Sequence, residues 1–305
     1  MQNLLTLLEL TTAEIQRIFD VSARLREQFD QGERPPILAG RVIALLFEKP
    51  SLRTRVSFEA GMAQLGGNSL FLGQDVGWKS RESVTDFAGV LSSYVDAIVC
   101  RAKSHDSVEE LARHSKCPVI NGLTDRWHPC QALADLFTLR DVHGSLQGRK
   151  LAFVGDSNNV ARSLAVACGK LGVRFAIASP PQYAFDSEFV EQLRRDVPDI
   201  DLVMTDDPKE AVDGADGIYT DVWASMGQEN EQAKRRRALA RYRVDAQLMS
   251  HAPASSCFLH CLPARRGEEV TDDVIDGPQS AVLRQATNRM HVQKGLLALL
   301  MGAKL

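Results

Sequence analysis

Five short stretches of this chain group residues that can do chemistry: "SLRTR" at 51–55, "HPCQ" at 128–131, "GDSNN" at 155–159, "DVWASMG" at 221–227 and "HCLP" at 260–263. In the first, Arg53 and Arg55 crowd a helix start that already carries positive partial charge. Ser51 is placed to cap that helix, which leaves backbone N–H groups of the first turn, including that of Leu52, open to a phosphate. Guanidinium groups would add bidentate, charge-assisted bonds, and Thr54 a hydroxyl. A capped helix with solvated arginines would use the same residues, and the segment alone leaves both readings open.

"HPCQ" puts Pro129 at a first helical position, His128 just outside the helix mouth and Gln131 one turn inside. A cationic imidazole is disfavoured there, so His128 is expected to be neutral and able to donate one hydrogen bond to a carbonyl oxygen. A histidine that only caps the helix is the alternative. "GDSNN" occupies the place of a dinucleotide-binding turn. After Gly155, however, it offers Asp156, Ser157, Asn158 and Asn159, whose side chains crowd a pyrophosphate but suit a carboxylate or an ammonium. Asp221 offers an anion to a substrate ammonium, and Ser225 and the chain at Met226 offer hydrogen-bonding groups. Cys261 precedes Pro263, which halts a strand; a cysteine inside an apolar strand is usually core, whereas one at the strand mouth can touch substrate.

The elements around these stretches alternate. "RVIALLF" predicts a strand, "TRVSFEAGMAQLGG" a helix closed by glycines, "NSLFL" a strand, "SVTDFAGVLSSYV" a helix and "DAIVCR" a strand. The pattern continues through "SVEELARHS", "PVINGL" and "PCQALADLFTLRDV", and again after the turn-rich "HGSLQGRK", where "LAFVGD", "NNVARSLAVACGKLG" and "RFAIASP" form a βαβ unit. Such alternation predicts an α/β fold of two domains, each a parallel sheet flanked by helices. The expected bounds are 1–145, 146–285 and a final helix, 286–305, that returns to the first domain.

The 305 residues suit two domains, and a net charge of -3 gives no global attraction to nucleic acid or to an anionic membrane. Six cysteines without CxxC or Cys/His ligand spacing support neither a disulfide framework nor a structural zinc site. The first residues lack a basic n-region, so cytoplasmic residence is the expectation.

Taken together and in order, "SLRTR", "HPCQ", "GDSNN", "DVWASMGQE" and "HCLP" resemble the aspartate/ornithine transcarbamylase family along essentially the whole chain. The resemblance implies a carbamoyl-phosphate domain followed by an amino-acid domain, a homotrimer or multiple of trimers with active sites near subunit interfaces, and no metal or organic cofactor. Carried over position by position, it implies that Ser51, Leu52, Arg53 and Thr54 hold the phosphate of carbamoyl phosphate. Arg101, His128 and Gln131 would address the carbamoyl group, with Cys261 and Leu262 beside the reacting amine and Arg289 completing that site. Asn159, Asp221, Ser225 and Met226 would hold the α-amino and α-carboxylate end of ornithine. Arg101, His128, Asp221 and Cys261 are the catalytic candidates. The implied reaction transfers the carbamoyl group to the δ-amine of L-ornithine, giving L-citrulline and phosphate, a step of arginine biosynthesis.

Two positions depart from the family pattern. Leu52 stands where a threonine is usual, and the loop 73–83 is longer than usual, with Lys79 and Arg81 placed to reach a neighbouring subunit. Other amine acceptors, such as N-acylornithine or putrescine, and a non-catalytic phosphate or amino-acid binding protein remain alternatives. An NAD-dependent oxidoreductase is opposed by the absent glycine pattern.

Overall fold

The computed structural model describes residues 1–224 and 231–303. Two compact units divide the chain, Met1–Leu133 with Thr287–Leu305, and Ala134–Ala286.

In the first unit the strands are Val42–Phe47 (β1), Asn68–Leu72 (β2), Ala97–Arg101 (β3) and Val119–Leu123 (β4), all parallel in the order β2-β1-β3-β4. The inner strands β1 and β3 are buried almost throughout, which explains why "VIALLF" and "AIVC" are unbroken apolar runs rather than alternating ones. The N-terminus covers the β4 edge: Leu4 N–H donates to Val119 O at 2.9 Å and Asn121 N–H to Leu4 O at 2.8 Å. The other edge, β2, leaves Leu70 and Phe71 exposed.

Helices Thr12–Asp30 (α1), Leu52–Gln64 (α2), Val84–Tyr94 (α3), His105–His114 (α4) and the start of Pro129–His143 (α5) complete the unit, joined by residues 287–300 of Val282–Leu300 (α12). α1 begins after Thr11: Thr11 and Glu14 cap each other's backbone N–H groups in a capping box. α2 starts at Leu52, two residues before the expected Thr54, because Ser51 Oγ accepts from Thr54 N–H at 3.3 Å. The C-terminal helix does return to this unit. Lys294 Nζ lies 3.1 Å from Gln64 Oε1 and over the Phe29 ring, and Arg26 Nη1 is 3.0 Å from Asn288 Oδ1.

The second unit has Lys150–Val154 (β5), Arg174–Ala178 (β6), Leu202–Thr205 (β7), Gly217–Tyr219 (β8) and Cys257–Leu259 (β9), parallel in the order β7-β6-β5-β8-β9. Helices Asn159–Lys170 (α6), Ser187–Asp196 (α7), Pro208–Val212 (α8), Gln232–Leu239 (α9), Ala246–Met249 (α10) and Asp272–Ile275 (α11) flank it. Its core joins Val154, Ile218, Phe258, Tyr242 and Leu239, all buried. Truncating a core residue such as Ile218 to alanine would cost about 2–5 kcal/mol.

Register fixes where loops emerge. In the first unit Phe47 pairs with Arg101 and Arg101 with Leu123, so the carboxyl ends of three adjacent strands lie level. In the second, Phe153 pairs with Tyr219 and Tyr219 with Leu259, which aligns the ends of β5, β8 and β9 in the same way. Open parallel sheets bind ligands outside such ends.

Candidate active site

In the first unit those ends carry "SLRTR", Arg101 and "HPCQ". Ser51 Oγ caps α2 and also donates to Thr54 Oγ1 at 3.0 Å. The guanidinium of Arg53 stands in this first turn without an ion-pair partner among the described residues, an arrangement suited to an anion. Arg55, expected beside it, is turned away: its Nε pairs with Glu59 at 3.0 Å and its guanidinium stacks on Phe71. The Leu52 side chain is 74% exposed, so this position offers the cradle only its backbone.

Thr54 is fully buried and receives a second bond, from Arg289 Nη2 on α12 at 2.6 Å. Arg289 Nη1 reaches Gln131 Oε1 on α5 at 2.9 Å. His128 takes the cap position of α5, its carbonyl accepting from Gln131 N–H and Ala132 N–H at 3.2 Å. It is buried, as are Arg101, Gln131 and Arg289. Burial holds its pKa well below 6.5, and the Arg289 and Arg101 guanidiniums push the same way. Its ring is therefore neutral at physiological pH, as the sequence led one to expect. These groups can take a phosphate dianion at the α2 mouth and polarise a carbonyl oxygen beside it.

In the second unit Gly155 turns the chain out of β5 with φ +137°, a conformation that side chains disfavour. Asn158 then caps α6, its Oδ1 accepting from Val160 N–H at 2.9 Å and Ala161 N–H at 3.1 Å. Its Nδ2 donates to Asp221 Oδ2 at 2.7 Å. Asn159 is the first residue of α6. The Cys261 thiol donates to Asp221 Oδ1 at 3.1 Å. Burial and the Asp221 carboxylate raise the Cys261 pKa well above 9, so it stands as a hydrogen-bond donor and not as a thiolate. Leu262 N–H donates to His260 Nδ1 at 2.9 Å, which leaves the ring proton on Nε2, 3.3 Å from the buried Glu269. Ligand-type atoms of Asp221, His260 and Cys261 lie within 4.8 Å of one another, but each is engaged as described. Ser225 and Met226 lie outside the described residues.

Residues 2–141 match the family model of the aspartate/ornithine carbamoyltransferase carbamoyl-P binding domain, and residues 147–300 that of the Asp/Orn binding domain. The chain belongs to the aspartate/ornithine carbamoyltransferase family. Among carbamoyltransferases, the ornithine carbamoyltransferase of Bacillus subtilis is 51% identical over 299 residues, which cover 97% of this chain and 92% of that protein. An ornithine carbamoyltransferase of Pyrococcus furiosus described as anabolic is 46% identical over 99% of this chain and 96% of its own. The solved structure of ornithine carbamoyltransferase from Pyrococcus furiosus superposes with TM-score 0.96 at 46% identity, covering 100% of this chain and 98% of that one. That from Thermus thermophilus gives 0.89 at 40% identity, covering 99% of each.

Within this carbamoyltransferase, Ser51, Leu52, Arg53, Thr54, Arg101, His128, Gln131 and Arg289 belong to the first unit, and Asn159, Asp221, Cys261 and Leu262 to the second. Sequence reasoning counted Asn158 among the ligand-binding side chains and passed over its role as a cap, although an asparagine directly before a helical run is an N-cap signal. It also passed over Arg235, which lies in a run of charges that carries no periodic signal. In the loop 73–83, Lys79 pairs with Glu48 at 3.1 Å and Ser107 at 2.8 Å of its own chain.

Proposed function

We propose that this chain transfers the carbamoyl group of carbamoyl phosphate to the δ-amine of L-ornithine, releasing L-citrulline and phosphate, in arginine biosynthesis. One observation carries the mechanism: a buried imidazole at the start of α5, held neutral by its burial and by the Arg289 and Arg101 guanidiniums. Ser51, Arg53, Thr54, Arg289 and the amide of Leu52 hold the phosphate, while Arg101, His128 and Gln131 address the carbamoyl group. The neutral δ-amine attacks the carbamoyl carbon; a C–N bond forms, the C–O bond to phosphate breaks, and a phosphate oxygen accepts the amine proton. Arg101, His128 and Thr54 stabilise the oxyanion, each loss costing about 3 kcal/mol, roughly a hundredfold in rate.

Asp221, oriented by Asn158, takes the α-ammonium of ornithine, with Asn159, Ser225 and Met226 at its α-carboxylate end and Cys261 and Leu262 beside the δ-amine. Putrescine lacks the carboxylate and N-acylornithine lacks the ammonium, so ornithine alone of the three satisfies both ends. Asp221→Asn tests this assignment. It should raise KM for ornithine about tenfold or more while sparing that for carbamoyl phosphate; ornithine use equal to wild type would refute it.

The protein acts as a cytoplasmic homotrimer or a multiple of trimers. Exposed Leu52, Val56, Leu70 and Phe71 on α2 and β2 support self-association, because apolar side chains clustered on adjacent elements mark an interface. Among the described residues no helix is long and apolar enough to cross a membrane. Light scattering would show a trimer mass or a multiple of it; a monomer would refute this part.

A further inference from the structure

A second carboxylate stands at the amino-acid end of the second unit. Asp156 follows Gly155 at the exit of β5, where burial above all, and to a smaller extent the Asp221 carboxylate, disfavours its charge. Among the described residues one cation bonds to it. Arg235 on α9 is 8% exposed, with Nη1 2.7 Å from Asp156 Oδ2 and 3.3 Å from the carbonyl of Trp223. Its Nε lies 3.1 Å from Glu231 Oε2, and its guanidinium stacks on the Tyr183 ring.

A guanidinium so buried is retained only with good partners, since desolvating it is expensive. Its partners here are the turn after β5 and the segment after β8, the two places from which Asn158 and Asp221 come. An unpaired Asp156 would give a substrate ammonium a second anion to bind. It would also raise the pKa of any amine nearby, and the attacking amine has to be neutral.

We infer that Arg235 is a positioning residue that sets acceptor specificity, taking up the Asp156 carboxylate so that Asp221 is reserved for the α-ammonium of the amino acid. It touches neither substrate. The inference rests on the reading of Asp221 as the ammonium's partner.

Steady-state kinetics of citrulline formation, with each substrate varied in turn, test it. Arg235→Gln should raise KM for ornithine about tenfold and leave KM for carbamoyl phosphate within about twofold. Arg235→Gln combined with Asp156→Asn removes both members of the pair and should return KM for ornithine to within about threefold of wild type. A purely structural role would make the double variant as poor as the single one, and that result, or an unchanged KM in Arg235→Gln, overturns the inference. If the single variant does not fold, the double variant decides alone, because it buries no unpaired charge. A KM for ornithine near wild type then supports the inference, and a tenfold rise contradicts it. Wild-type protein that makes no citrulline would overturn the proposed function and this inference together, whereas active wild type with unresponsive variants overturns the inference only.

Discussion

Arg289 Nη2 stands 2.6 Å from Thr54 Oγ1, and the same guanidinium reaches Gln131 with its other nitrogen. A residue of the last helix thus ties the mouth of α2 to the first turn of α5. Arg289→Met would strip both contacts and a positive charge from the proposed phosphate site. We expect kcat/KM for carbamoyl phosphate to fall about a hundredfold or more, since a charge-assisted fork is lost. Initial rates with carbamoyl phosphate varied would show it; a loss below fivefold would remove Arg289 from that site.

His128 should act as a neutral donor. Its folded pKa lies well below 6.5, so between pH 6 and pH 9 its protonation state does not change. A rise of rate toward alkaline pH is expected from the substrate amine, whose free pKa is near that of lysine, about 10. His128→Gln should lower kcat about a hundredfold and leave the shape of the pH profile in that range intact. An acid limb near pH 6.5 that disappears in the variant would show that the imidazole titrates during turnover.

His291 on α12 gives a stability prediction. It is buried edge-on against Phe29, and burial, Lys294 and Arg26 lower its pKa to about 4, with Asp30 opposing and Arg34 reinforcing the shift. Between that value and the unfolded one near 6.5, the unfolded chain binds a proton that the folded chain refuses. Stability should therefore fall as pH drops through this window, by on the order of 3 kcal/mol from this residue. Denaturant unfolding of wild type and His291→Phe at pH 7 and pH 4.5 would reveal a smaller acid loss in the variant. Parallel losses would mean that His291 is protonated in the fold.

The strands were legible because inner parallel strands are buried on both faces and leave unbroken apolar runs such as "VIALLF". The start of α2 was legible because a side chain does the capping there, that of Ser51. Proline marked α5 at Pro129, and the neutrality of His128 followed from that placement before its guanidinium neighbours were visible. Arg55 was misjudged because residues two apart leave a helix in different directions: Arg53 stays at the mouth while Arg55 pairs with Glu59 one turn on. Arg235 and Glu269 were invisible for a different reason. Their partners, Asp156 and His260, are set by the tertiary fold, and a charge in a polar run reads as solvated until its burial is known.

The most direct test of the account is a panel of amine acceptors offered with carbamoyl phosphate to the purified protein, with the carbamoylated product quantified by colour reaction. L-Ornithine should be used with a kcat/KM about a hundredfold or more above those of putrescine and N-acetylornithine, because only it meets both Asp221 and the carboxylate-binding groups. No citrulline from ornithine, or faster product formation from either of the other amines, would contradict the account.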